Sequence, residues 1–396
     1  MLPRTIVAFT LVVVAILSSL TLYVMKSSNN ASTYPVTTTD SPVTATNLSE
    51  KNTSAITTTV VGNGSKITLI GSGSTFIYPQ LDRWIKALSE KNPQIIIEYS
   101  PSGSGTGQTQ FMQGLIDFAG SDPPLTTSDW EKAKNDPRGV IQLPVLVGSV
   151  VITYNIPGIA SKLKLTGEVL SLIYKGEIEY WDDRRIAELN QGISLPHEKI
   201  VAVHRSDSSG TTNIFTLFLY KSSNGLWPRD LVGKAIDWPV DKTGRGLGGK
   251  GNQGVADIVS RTPYSLGYVE YAYAFLQNLP TALIMNSEGI FVEANMTTMM
   301  EAIRASMDKL PQSPEGDFND FWNAVIYSPG KQSYPVTSFA FLIFHKVYPS
   351  NKVEGIKQLI QFINNEGRNY IIEGYVPIPD ELARFNLNSL NLIVSG

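Results

Sequence analysis

Apolar positions in this chain fall into short blocks that alternate between two patterns. Lys66 to Ile70, Gln94 to Tyr99, Val145 to Asn155, Ile200 to Val203 and Ser338 to Phe344 are dense runs rich in β-branched and aromatic residues, which predicts strands. Ile95, Ile96 and Ile97 are consecutive, as in a strand covered on both faces. A further strand is expected before Asp122, where Pro123 and Pro124 stop it. Between these runs the spacing becomes helical. Leu81, Trp84, Ile85 and Leu88 share one helix face, and helices are also expected over 108–115, 213–219 and 352–366. Ser128 with Glu131 reads as a capping box, Trp181-Asp182-Asp183 as a helix start, and Gly267 to Ala274 as a strand leading into a helix. Strands alternating with helices predict an α/β protein with parallel-rich sheets.

The junctions between strand and helix are unusual. Three of them are built from small residues: Gly71-Ser72-Gly73-Ser74-Thr75-Phe76, Ser100 to Gly107, and Arg205-Ser206-Asp207-Ser208-Ser209-Gly210-Thr211-Thr212. A helix's first N–H groups lack intrahelical partners, and its dipole adds positive potential there, so each junction can hold an anion. Each is equally a simple capped turn when taken alone. Arg205 adds a full charge with a fork suited to oxyanions. Asp122, at the end of its strand, is expected in the same crevice, since ligands of open α/β sheets sit at carboxyl strand ends. A carboxylate repels a bound anion unless that anion carries a proton to donate. Phosphate keeps a proton near neutral pH, by analogy with a phosphomonoester of pKa about 6, and sulfate does not. Asp122 would thus select phosphate, and a lost polar contact of this kind can discriminate by about 10⁴–10⁵.

Composition narrows the classes. The 396 residues carry a net charge of only −3 and no basic run, so nothing points to nucleic acid. Cysteine is absent, which removes disulfides, thiol nucleophiles, thiolate metal sites and a cysteine lipid anchor. Three scattered histidines, His197, His204 and His345, make a poor zinc site. A Ser–His–Asp hydrolase could be drawn from His204, Asp207 and Ser209, but no G-x-S-x-G elbow is present. The Gly71 loop has Phe76 where a dinucleotide fingerprint needs its third glycine. The glycine-rich stretch Gly244 to Gly254 has Gly251 where a P-loop needs Ser or Thr.

The N-terminus carries an address. Residues 1–26 hold an uncharged run from Thr5 to Met25, long enough for a bilayer-crossing helix of about 20 residues, and read as a membrane anchor or a cleaved signal. Residues 27–65 are rich in Ser, Thr and Asn and read as a flexible tether. N-x-[ST] sequons at Asn30, Asn47, Asn52 and Asn63, with Asn295 later, suggest a glycosylated stalk and an extracellular globular part.

Together the loops resemble the extracytoplasmic phosphate-binding protein of Pst-type ABC transporters. The matching stretches are Gly71 to Phe76, Gly103-Ser104-Gly105, Asp117 to Asp122, Trp181 to Asp183, Arg205 to Thr211, Gly246 to Asn252 and Gly267 to Ala274. The resemblance implies a type II periplasmic-binding-protein-like fold. Two lobes, each a mixed sheet flanked by helices, would close on ligand in the cleft between them. Residues 66–148 and 334–396 would form lobe 1, and 149–333 lobe 2. Ser74, Thr75, the Phe76 amide, Ser104 and Asp122 would hold phosphate from one side. Arg205, Ser209, the Gly210 amide and Thr211 would hold it from the other, with Asp207 restraining Arg205. The implied protein is a monomer that serves an ABC permease, with no catalytic residue, metal or cofactor. A binder of arsenate, molybdate or sulfate, or a phosphatase, is the alternative.

Overall fold

The structure is a computed structural model and describes residues 66–159 and 161–396. The N-terminal run, the tether and the first four sequons lie outside the described residues. Among the described residues, no helix is long and apolar enough to cross a membrane.

One nine-stranded mixed sheet carries the molecule. Its first half is assembled from β1 (Ile67–Gly73), β2 (Ile95–Ser100) and β3 (Phe118–Ser121), which run parallel with β1 in the middle. Helices α1 (Tyr78–Lys91), α2 (Ser104–Met112) and α3 (Thr127–Asn135) follow these strands in turn. Then comes β4 (Ile141–Asn155), fifteen residues long and buried from Ile141 to Tyr154. Helix α4 (Gly167–Lys175) leads to the second half, built from β5 (Val201–Arg205), helix α5 (Gly210–Ser222), β6 (Gly246–Gly249), helix α6 (Gly251–Arg261), β7 (Ser265–Glu270) and helix α7 (Tyr271–Leu276). The chain finishes with β8 (Thr337–Phe344), helix α8 (Ser350–Asn364) and the short β9 (Val376–Pro377).

The strand order is β2-β1-β3-β8-β4-β7-β5-β6, with β9 also on β4. Strand β4 is shared by both halves. Its residues Ile141 to Ser149 pair with β8, and Val150 to Asn155 pair with β7. Between Pro314 and Trp322 the chain packs on the first half: Gln142 N donates to Pro314 O at 2.9 Å, and Trp322 Nε1 donates to Ser338 Oγ at 2.9 Å.

Several local expectations shift. Ile96 and Ile97 are only half-buried, because β2 is the edge of the sheet rather than a doubly covered strand. Helix α2 begins at Ser104, so part of the expected Ser/Gly loop is the helix's first turn. The cap of α3 is Thr126, whose Oγ1 accepts from Asp129 N at 3.2 Å, two residues ahead of the Ser128–Glu131 box. Asp183 does start a helix, accepting from Arg185 N at 2.9 Å.

Close packing sets the β1 turn. Gly73 has φ +132°, and a Cβ there would sit 2.1 Å from Gly120 O. Its carbonyl accepts from Gly103 N at 2.7 Å, joining two of the small-residue loops. Gly73→Ala is expected to cost more than about 2 kcal/mol, through backbone strain and a clash that cannot relax alone. A lower urea midpoint with unchanged slope is the expected result.

Candidate functional site

The three loops converge. They carry the ends of β1, β2 and β5 and the starts of α1, α2 and α5 to one place, together with the end of β3. Strands β1, β2 and β3 run parallel to one another while β5 runs opposite to them, so the two halves of the sheet, joined along β4, point their carboxyl strand ends at each other. Ser74, Thr75, Phe76, Ser104 and Asp122 come from the first half of the sheet, and Arg205, Asp207, Ser209, Gly210 and Thr211 from the second. All are buried except Asp207, which is half-buried.

Arg205 is fixed by a fork. Its Nε donates to Asp207 Oδ1 at 2.8 Å and its Nη2 to Asp207 Oδ2 at 2.5 Å, while Nη1 donates to Thr211 Oγ1 at 3.2 Å. Two guanidinium hydrogens remain from the five, one on each terminal nitrogen. Burial pushes the Asp207 carboxyl up, but the Arg205 hydrogen bonds and charge outweigh it and hold it below the usual range. Asp207 Oδ1 also accepts from Gly251 N at 3.0 Å, which caps α6.

Ser209 is the N-cap of α5, its Oγ accepting from Thr212 N at 3.1 Å. The simple cap and the anion site coexist here, since the hydroxyl hydrogen is left to donate. Gly210 is required by proximity: a Cβ there would lie 2.5 Å from both Asp122 Oδ2 and Ser104 Oγ.

Asp122 faces this array from the other side. Ser74 Oγ donates to its Oδ1, and Thr211 Oγ1 donates to its Oδ2 at 3.1 Å. Ser104 Oγ accepts from its backbone N at 3.2 Å. Burial raises the carboxyl to about 6, against the pull of Ser74, Arg205, Thr211 and Ser104. Thr75 Oγ1 accepts from Asn252 Nδ2 at 3.1 Å, and the Phe76 ring is buried beside Tyr375. Further bonds cross between the halves: Gly105 N donates to Ser208 O at 3.0 Å, Tyr273 OH to Thr75 O at 2.7 Å, and Lys234 Nζ to Gln108 Oε1.

The members of the imagined hydrolytic triad take other partners. His204 Nε2 meets Asp241 Oδ1 at 2.8 Å and its ring stacks on Trp238, Asp207 holds Arg205, and Ser209 caps α5. Asn295 caps the helix Met296–Arg304. Among the described residues, no group of three or more His, Cys, Asp or Glu could hold a metal ion.

Sequence reasoning missed Asn252. It is fully buried in the first turn of α6 and bonds to both Thr75 and Thr211. Its signal was an amide pair, Asn252-Gln253, within the glycine-rich stretch that fails as a P-loop.

The chemistry is that of a small-oxyanion receptor: neutral donors on helix starts, one braced arginine, one acceptor. Comparison with known proteins agrees. The family model described as a PBP superfamily domain matches residues 37–366. The phosphate-binding protein PstS of Methanocaldococcus jannaschii is 40% identical over 83% of this chain and 87% of its own. That of Pasteurella multocida is 36% identical over 80% and 88%. A phosphate-bound structure of a high-affinity periplasmic phosphate-binding protein, PfluDING, shares the fold at a TM-score of 0.66 and 19% identity, covering 82% of this chain and 98% of that one. A phosphate-bound putative phosphate ABC transporter substrate-binding protein from Clostridium perfringens superposes at 0.55 and 17%, covering 79% and 100%. The chain is a PBP superfamily protein. Within that superfamily it belongs to the PstS phosphate-binding proteins.

The buried Asp122 opposes folding when ionised. Its folded value of about 6 lies above the ordinary 3.8, so the folded state binds the proton more tightly. That stabilisation is full below the unfolded value and is lost as pH rises through about 6. Asp122→Asn is therefore expected to stabilise the ligand-free protein at pH 8 by up to about 3 kcal/mol, and by almost nothing at pH 3.5. Ligand-free thermal midpoints at the two pH values test this.

Proposed function

We propose that this chain binds inorganic phosphate between the two halves of its sheet and delivers it to an ABC permease. The observation that carries the reading is Asp122: a buried acceptor among donors, facing Arg205 and Thr211. An oxyanion that keeps a proton can donate it to Asp122 and take hydrogen bonds from everything else. One without a proton leaves the carboxylate unpaired and repelled. Thr75, Ser104, Ser209 and Thr211 supply hydroxyls, Phe76 and Gly210 amides, and Arg205 its two remaining hydrogens; Ser74 completes the wall by holding Asp122.

Residues 66–148 and 334–396 act as one lobe and 149–333 as the other, hinged where β4 passes from β8 to β7 between Ser149 and Val150. The exception within 149–333 is the stretch from Pro314 to Trp322, which is bonded to the first lobe and travels with it. The binding unit works as a monomer on the outer face of the membrane, tethered by 27–65 and anchored by the N-terminal segment. It performs no catalysis and needs no metal or cofactor. Arsenate, which also carries a proton, is the second ligand that Asp122 admits.

Calorimetry at pH 7.5 tests the reading. Phosphate is expected to bind tightly and sulfate at least about 10⁴-fold more weakly. Asp122→Asn is expected to weaken phosphate far more than sulfate, and equal affinities for the two anions would sink the selectivity argument. Intact mass of the native protein tests the address: an uncleaved N-terminus and added hexose mass are expected.

A further inference from the structure

A hydroxyl has one hydrogen and two lone pairs. Which way Thr75 and Thr211 use theirs is fixed by what already approaches them. Thr75 Oγ1 lies 3.3 Å from Asn252 N and 3.1 Å from Asn252 Nδ2, both of which donate. Thr211 Oγ1 accepts from Arg205 Nη1 at 3.2 Å and from Asn252 Nδ2 at 3.2 Å. Both lone pairs on each oxygen are thereby engaged. The one hydrogen of each is left to be given away, and in this structure that of Thr211 goes to Asp122 Oδ2.

The amide of Asn252 cannot turn the other way. Its Oδ1 accepts from Glu270 N at 3.0 Å, and a reversed amide would set its NH2 against that N–H. The residue is fully buried, and its place is held by α6, whose first N–H groups are engaged by Asp207 and Thr75. Asn252 belongs to the same half of the sheet as Thr211, whereas Thr75 comes from the other.

We propose that Asn252 is a positioning residue that makes Thr75 and Thr211 obligate donors toward the bound anion, acting on Thr75 only when the two walls meet. The proposal rests on the phosphate reading above. It places the choice between acceptor and donor ligands one shell behind the atoms that touch the ligand. A ligand that offers acceptors is favoured, and one that needs an acceptor from either threonine finds none.

A double-mutant cycle on the full-length chain tests it. Phosphate affinity is measured by calorimetry for the parent, Asn252→Ala, Thr75→Val, Thr211→Val and the two pairwise combinations. A phosphate-dependent thermal shift up to millimolar concentration covers the weaker variants. Asn252→Ala is expected to weaken phosphate about 10–100-fold in the parent. Its effect is expected to shrink at least about threefold in each valine background, because the hydroxyl it orients is gone. Equal losses in all backgrounds, or no loss in the parent, would overturn the proposal. Should the alanine variant not fold, Asn252→Asp serves in the same cycle. It keeps the size and the acceptor for Glu270 N, but it draws both hydroxyl hydrogens off the anion. Its loss is expected to exceed about 100-fold in the parent and to shrink in the valine backgrounds. Failure of the parent to bind phosphate is a different result: it overturns the function itself and this inference with it.

Discussion

A carboxyl group buried opposite an arginine sets the terms for everything around it. Asp122 has no carboxylate-specific cation of its own, because Arg205 spends two of its nitrogens on Asp207. Asp122 is held instead by hydroxyls, from Ser74 on its own side and Thr211 on the other. Burial raises the carboxyl, and the hydroxyl donors pull it down without matching that cost, so it stays raised at about 6. The braces follow from that compromise. Arg205 must not reach Asp122 directly, so Asp207 restrains it. Gly210 must carry no side chain, so that the helix start can approach the carboxyl.

The site therefore runs close to electrical balance. One buried cation faces one paired carboxylate and a second that is half-titrated near pH 6. Attraction for an anion comes from oriented dipoles at the helix starts rather than from net charge. Dipoles fall off quickly with distance, so such a pocket acts at short range and rewards shape and proton placement over charge alone.

Much of this was legible in the sequence. The strands now seen as β1 and β5 and the helix face of Leu81, Trp84, Ile85 and Leu88 followed from apolar spacing, and the three loops announced themselves by their small residues. Asp122 was legible from two prolines that end its strand. What failed depended on neighbours that local pattern does not name. Ile95 to Ile97 look like an interior strand, but β2 takes the edge because β3 occupies the other side of β1. The cap of α3 moved to Thr126 because three hydroxyl residues in a row offer competing caps. Asn252 stayed hidden because its role lies in partners that are 177 and 41 residues away.

The position of β8 bears on how the chain can be made. It is inserted between β3 and β4, at the heart of the sheet, yet it is among the last strands of the chain. Loop closure over such separations is slow, and β3 and β4 cannot be joined until residues 337–344 exist. The early strands, with β3 and β4 waiting for the strand between them, present unpaired edges throughout synthesis. The first half of the sheet stays split between β3 and β4 until the chain is nearly complete. One wall of the site is thus the last to be closed, by a strand that arrives after every residue lining it.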